Sequence, residues 1–371
     1  MRDGLYEISD LMKGYDPKDP ASFIQTWDYQ QYIAFVADGG PAPTNPDVAA
    51  DQAVRDAKIG MALRDYLRAQ TPSGSPAPRL VAIMGGHSLN RGEPAYKLTA
   101  EIARDLTNAG FIVATGGGPG AMEAGHVGAY FAKAPIGVHQ AAIAKLATVP
   151  VLPPDLGNIL DPKTGAIVPN QQPAYQHAAD WLNAAVDAKA LLPAGTASGE
   201  SLAVPTWLYG TEPSNPFASV YAKYFQNSSR EETLVAEGRT GTLYAKGSGG
   251  TLREIFQGVE YNCYIQSADD FQPMIFVDPD HFWQTTASYD GAGKIVVRGI
   301  NMADTISPIF KASLPAAIWS KCNDKVQFTS DLAEIRRVLS AQAPAATTRL
   351  SLMLQGEPVS LLSARFRARS A

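Results

Sequence analysis

A carboxylate set beside an anion cradle is the most chemically pointed feature of this sequence. It lies in Thr240 to Val259, TGTLYAKGSGGTLREIFQGV, where alternating apolar residues run into a turn containing Gly247, Gly249 and Gly250 and helix-like sequence begins at Thr251. Strand, glycine turn and helix in that order leave unpaired backbone N–H groups at a helix N-terminus, where the macrodipole also favours negative charge. A phosphate fits such a turn, and Glu254 on the first helical turn would stand close to a phosphorylated ligand. Thr251 and Glu254 equally spell a Thr-x-x-Glu capping box, which needs no ligand. A second glycine turn, Thr115 to Gly120 (TGGGPG), also follows an apolar run and precedes helix-like sequence. Two phosphate-sized cradles in one chain favour the ligand.

The elements that must position these turns can be read around them. Residues 80–84 (LVAIM) form a wholly apolar run, as expected of a central parallel strand covered on both faces, and GGHS follows at its carboxyl end. Residues 93–108 place Leu98, Ile102 and Leu106 four apart and stop at Gly110, a suitable residue just past a helix end. A second strand over 111–114 leads into TGGGPG and a helix in which Gly125 and Gly128 imply close approach to the sheet. This strand and helix alternation predicts an α/β fold, a doubly wound, Rossmann-like parallel sheet with ligands at the strand carboxyl ends.

The remainder is organised around that unit. Residues 1–78 read as an N-terminal helical extension and linker, with an aromatic-rich piece at 23–35. A helix follows, its buried face expected at Ala53, Ala57, Met61, Leu63 and Leu67, and then the linker TPSGSPAP. Residues 79–342 form the nucleotide-binding domain, with an irregular insertion at about 135–203 in which a helix resumes near 176–190. Further strands are expected at 204–208, 273–277 and the KVQF stretch, and an amphipathic helix after the Ser330/Asp331 cap signal. Residues 343–371 read as a peripheral tail whose only basic run is Arg365 to Arg369.

Composition narrows the function classes. The 371 residues are 45% hydrophobic and 18% charged, the balance of a soluble globular protein with ample core. A formal net charge of −5 gives no bulk attraction to nucleic acid or anionic membrane. Cys263 and Cys322 make no disulfide framework, the start lacks a secretory pattern, and no apolar run reaches spanning length, so a cytoplasmic location is expected. The five histidines are scattered without metal-binding spacing, so no metal site is expected. No GxGxxG follows the first strand, which speaks against a nicotinamide cofactor.

GGHS after the first strand, GPGAME after the second, EPSNP at Glu212 to Pro216 and GSGGTLRE, four motifs in one order, resemble the LOG-type phosphoribohydrolase superfamily, once labelled "possible lysine decarboxylase". They are most similar to the bacterial pyrimidine/purine nucleotide 5′-monophosphate nucleosidases, over roughly residues 80 to 280. The resemblance implies hydrolysis of the N-glycosidic bond of nucleoside 5′-monophosphates to free base and ribose 5-phosphate, with no cofactor, in a homodimer or higher homo-oligomer. It places the family's PGGxGTxxE motif on Lys246 to Glu254, with Lys246 for the proline and Ser248 for a glycine, and it makes Arg230 the candidate for the family's catalytic arginine, with Arg239 in reserve. Ser248 is compatible with the motif only where its φ is negative.

The chemistry so implied is departure of a base from a ribose that gains oxocarbenium character, with Glu254 stabilising that charge and orienting water. The phosphate would be clamped by N–H groups around Gly117, Gly118, Gly120, Gly247, Gly249, Gly250 and Thr251, while Arg230 would bind phosphate or position the glutamate. Met122 would pack apolar surface in the crevice, Glu123 would contact ribose or base, and Ser88, next to His87, would donate to phosphate or ribose. A different class remains open: a nucleotide-binding sensor or carrier of the same fold with weak or no turnover, which Lys246 and Ser248 favour. Pyridoxal chemistry is discounted because no lysine sits in a Schiff-base context.

Overall fold

A computed structural model describes residues 4–75 and 77–342. The tail at 343–371, including the basic run Arg365 to Arg369, lies outside the described residues. In chain order the elements are α1 (Ile8–Leu11), α2 (Trp27–Ala37), α3 (Pro46–Ala69), β1 (Leu80–Met84), α4 (Pro94–Asn108), β2 (Ile112–Thr115) and α5 (Ala121–Tyr130). There follow α6 (Ile136–Leu146), α7 (Gln172–Lys189), β3 (Ser201–Ala203), β4 (Val220–Tyr221), α8 (Asn227–Glu237), β5 (Gly241–Tyr244) and α9 (Gly249–Cys263). The chain continues through β6 (Met274–Val277), β7 (Ser288–Tyr289), β8 (Ile295–Val297), α10 (Ala303–Ser313), α11 (Ala316–Cys322), β9 (Val326–Thr329) and α12 (Leu332–Ala341).

Seven of the strands form one sheet in the order β4-β3-β2-β1-β5-β6-β9, every pair parallel, while β7 and β8 make a separate antiparallel pair. This is the expected doubly wound sheet. Successive side chains alternate between its faces. Leu80, Ala82 and Met84 of β1 pack with Ile59 and Leu63 of α3, Leu234 of α8, Ile255 of α9 and Phe310 of α10. Val81 and Ile83 pack on the opposite face with Ile102 and Leu106 of α4 and Ile335 and Leu339 of α12. Because both of its faces are covered, β1 is apolar throughout and coincides with the LVAIM run.

The N-terminal residues are bound into this frame. Tyr6 exchanges backbone hydrogen bonds with Tyr221 at 2.8 and 2.9 Å, covering the open edge of β4. The aromatic piece, with Phe23, Tyr29, Tyr32 and Phe35, shares a core with Leu156, Ile159, Trp181, Leu182 and Trp207. The extension and the 135–203 segment therefore bury one another's apolar surface.

Four expectations need correction. The buried face of α3 is Gln52, Asp56, Ile59, Leu63 and Leu67, whereas Ala53, Ala57 and Met61 face solvent. Apolar periodicity misplaced the face because Gln52 and Asp56 turn inward to make specific bonds: Gln52 donates to the Gly40 carbonyl, and Asp56 accepts from the N–H groups of Phe225 and Gln226 at 2.8 and 2.9 Å. The strand expected at 204–208 lies earlier, at Ser201–Ala203. Val204 still donates to the Thr115 carbonyl at 2.8 Å, but Pro205 has no N–H to continue the ladder, and Thr206 caps a short 3₁₀ turn. The segment at 135–203 is less irregular than expected, since it holds α6 and the whole of α7. Finally, Gly125 does approach the sheet, where a Cβ would stand 2.9 Å from Thr115 Cγ2, but Gly128 meets the backbone of α4 at Ala100.

Candidate active site

The order of the sheet reverses direction between β1 and β5, and ligands in open α/β sheets bind outside the strand carboxyl ends at such a point. A cavity of about 200 Å³ lies there. Gly85 and Gly86 after β1, Gly116 to Gly118 after β2, and Ser248, Gly250 and Thr251 after β5 all line it. Both glycine turns thus open on one cleft, together with Glu254, Arg230 and Met122.

The turn after β5 is built by close approach. A Cβ on Gly247 would collide with the Thr251 side chain and stand 3.1 Å from the Gly86 nitrogen, and the Gly86 N–H donates to the Lys246 carbonyl at 3.1 Å. Ser248 adopts φ −127°, so a side chain there is unstrained, and it is the N-cap of α9 without making a side-chain capping bond. The helix therefore presents its first N–H groups uncapped by that residue. The capping-box alternative does not hold: α9 begins at Gly249, and the Glu254 carboxylate accepts from Arg230 Nη1 at 3.1 Å.

Arg230 is carried by α8, whose start is fixed by Asp56 of α3 through the two bonds just described. Its guanidinium lies between Glu254 and Glu231, the latter 4.0 Å away and itself paired with Arg253 at 2.9 Å. Gly116 leaves room for this arrangement, since a Cβ there would stand 3.4 Å from Arg230 Nη1 and 2.7 Å from the Met122 sulfur. Burial raises the Glu254 carboxyl from its ordinary 4.5 to about 7, with Arg230 opposing the shift and Glu231 adding to it. Folded protein then holds this proton more tightly than unfolded chain does. The resulting stability is fully present below pH 4.5 and is lost as pH rises to about 7. Glu254→Gln lacks that dependence. Its unfolding free energy relative to wild type is expected to improve by up to about 3 kcal/mol from acid to mildly alkaline pH. Urea titrations at both ends of the range measure this, and an equal difference at each would contradict it.

Other expected site residues are placed differently. Glu123 does not face the cleft: it is fully buried, its two oxygens accept from Arg91 at 2.7 and 2.8 Å, and Tyr96 donates to it at 2.9 Å. Neighbouring helical positions point about 100° apart, so Met122 in the cleft turns Glu123 towards α4. Gly120, at φ +70°, is pressed against the backbone of Gly86 and His87 instead of lining the cavity, and the Ala121 N–H is spent on the Gly86 carbonyl at 3.1 Å. Gly247 shapes the turn from behind, and Gly249 opens α9 without lining the cavity. Ser88 lies in the wall of a neighbouring cavity, beside His87, which lines both. Arg239 pairs with Glu237 at 3.7 Å and does not line the cleft. Lys246 points away, its ammonium 2.7 Å from Asp280 and 4.9 Å from the centroid of Phe282. Because this ion pair is exposed, Lys246→Ala is expected to cost less than about 1 kcal/mol of stability, as urea unfolding would show, and a larger loss would contradict this placement.

Several lining residues escaped the sequence reading. Lys223 is buried in the wall, 2.6 Å from Asp28 of α2 and 4.3 Å from the centroid of Trp207. A lone lysine in the aromatic stretch VYAKYF was the available signal. Glu212 lines the cleft with its carboxyl raised by burial, opposed by His87 and Arg230. Asn215, in the same EPSNP stretch, donates to the carbonyls of Gly117 at 2.8 Å and Gly118 at 3.1 Å, holding the upstream turn in place. Among the described residues, no three His, Cys, Asp or Glu side chains are grouped to hold a metal ion, and no helix is long and apolar enough to cross a membrane.

The chain matches no family model and no curated protein.

Proposed function

We propose that this protein hydrolyses the N-glycosidic bond of nucleoside 5′-monophosphates, as LOG-type phosphoribohydrolases do, and that it works as a cytoplasmic homo-oligomer. The observation that carries the reading is the convergence of two glycine turns with the Glu254–Arg230 pair on one cleft at the sheet's switch point. The N-terminus of α9 offers donors for the 5′-phosphate, and the turn at Gly116 to Gly118 faces it. With phosphate held there, remote binding energy keeps the sugar in register over Glu254.

In this mechanism the carboxylate of Glu254 stabilises the oxocarbenium-like ribose and takes a proton from the attacking water. Arg230 keeps that carboxylate oriented in the resting site. Because the group must be ionised to serve, its own contribution to catalysis should rise with pH through about 7. Incubation with a panel of ribo- and deoxyribonucleoside monophosphates, followed by chromatography for free base and ribose 5-phosphate, tests the reading. Tight nucleotide binding without release of any base would replace it with a sensor or carrier.

A further inference from the structure

A second cavity, of about 360 Å³, adjoins the first, and His87 and Glu212 form their common wall. Its lining has a different character. The first cleft combines glycine backbone and charged side chains with Met122, Pro205 and Tyr209. The second is walled by Val151, Leu152, Pro153 and Leu156, with Ser88 and Asn90 as hydrogen-bonding groups. The apolar wall is held firmly. Pro153 and Pro154 restrict its backbone, and Leu156 is anchored in the aromatic core shared with α2. Asp155 pairs with His177 at 2.8 Å, and the Pro150 carbonyl accepts from the Arg91 N–H at 3.0 Å. An apolar wall facing hydrogen-bonding groups across one cavity suits a planar heterocycle.

Resting on the hydrolase reading above, we propose that this second cavity is the leaving-group subsite, that it receives the nucleobase, and that Glu212 is the acid that protonates the base as it departs. Glu212 bridges the two spaces. Its Oε1 lies 3.6 Å from His87 Nδ1, and its Oε2 lies 3.6 Å from where a Cβ on Gly118 would stand, beside the upstream glycine turn. Burial keeps its carboxyl above the ordinary carboxylate range against the opposing charges of His87 and Arg230, which favours the proton-bearing form.

The step balances. The water oxygen bonds to C1′ while the C1′–N bond breaks, and the electrons of that bond pass to the base. The Glu212 proton goes to a base nitrogen, and a water proton goes to Glu254. Solvent then returns a proton to Glu212 and removes one from Glu254, leaving free base and ribose 5-phosphate as the net products of nucleotide and water.

Two variants of the full chain test this. Gly157 lies on the rim of the second cavity, and a Cβ there meets nothing within 4 Å. Gly157→Trp should therefore place a large ring at the mouth of the cavity without disturbing the backbone. It is expected to weaken nucleoside monophosphate binding at least about tenfold while leaving ribose 5-phosphate binding within about twofold, both by calorimetry. Glu212→Gln is expected to slow base release from natural nucleotides by about 10²–10⁴-fold but to slow cleavage of 4-nitrophenyl riboside 5-phosphate, whose leaving group needs no proton, by less than tenfold. Equal effects of Gly157→Trp on both ligands, or of Glu212→Gln on both substrates, would overturn the subsite while wild-type hydrolysis stood. Wild-type protein that releases base from no nucleotide would overturn both readings together.

Discussion

Glu254→Gln is expected to lower base release from nucleoside monophosphates by about 10²–10⁴-fold, the range for removing a positioned acid–base group. The amide keeps the shape of the side chain and can still meet Arg230, so nucleotide binding should persist. In the proposed mechanism what is lost is the negative charge under the ribose and the acceptor for the water proton. The pH profile separates this role from a packing role. With 4-nitrophenyl riboside 5-phosphate, whose leaving group needs no proton from Glu212, the wild-type rate should climb with pH through about 7, because burial holds the Glu254 carboxyl protonated below that value. In the variant the residual rate should lose that limb. Measured kcat for the two proteins across the range decides the matter, and a variant that retained both the rate and the limb would remove Glu254 from the chemistry.

The largest expected effect on stability lies at Arg91 and Glu123. The pair is almost wholly enclosed, with side-chain exposures of 2% and 0%, and the Arg91 guanidinium lies 3.7 Å from the centroid of Trp181. It joins the loop after β1 to α5 and, through the Trp181 carbonyl at 3.0 Å, to α7. Arg91→Met strands the Glu123 carboxylate in the core with Tyr96 as its remaining bond, and truncating one partner of such a pair costs about 3–5 kcal/mol. Replacing both members together with the hydroxyl that bonds them, Arg91→Met and Glu123→Leu with Tyr96→Phe, should recover most of that loss, since apolar packing often equals a buried ion pair and no donor is then stranded. Urea unfolding of the single and combined variants checks this. A combined variant as unstable as the single would mean that the cost comes from lost packing on Trp181 and not from the stranded charge.

Much of the frame could be read without coordinates, because its signals are local. The LVAIM run is apolar at every position because a central parallel strand has no solvent side. Asp331 caps α12 by accepting from the N–H groups of Ala333 and Glu334, a bond spanning only three residues. Glycine turns after strands signal themselves for the same reason, and the negative φ at Ser248 shows the departure from a glycine there to be harmless to the backbone. Side-chain direction was less legible. Met122 and Glu123 are adjacent letters, yet one faces the cleft and the other the core, and which does so depends on how α5 is rolled against α4.

From its sequence alone this protein was committed to a doubly wound parallel sheet with glycine turns at the ends of β2 and β5, since periodicity, turn chemistry and helix signals act over a few residues. Tertiary structure alone decided that these two turns share a cleft, that Asp28 of α2 neutralises Lys223, and that Glu212 divides two cavities. It also decided that Glu254 meets Arg230 from a neighbouring helix and carries a raised pKa. The physical reason is that charge, burial and cavity shape are properties of groups brought together from distant parts of the chain, as Asp28 and Lys223 are across 195 residues, and no local pattern encodes such a meeting.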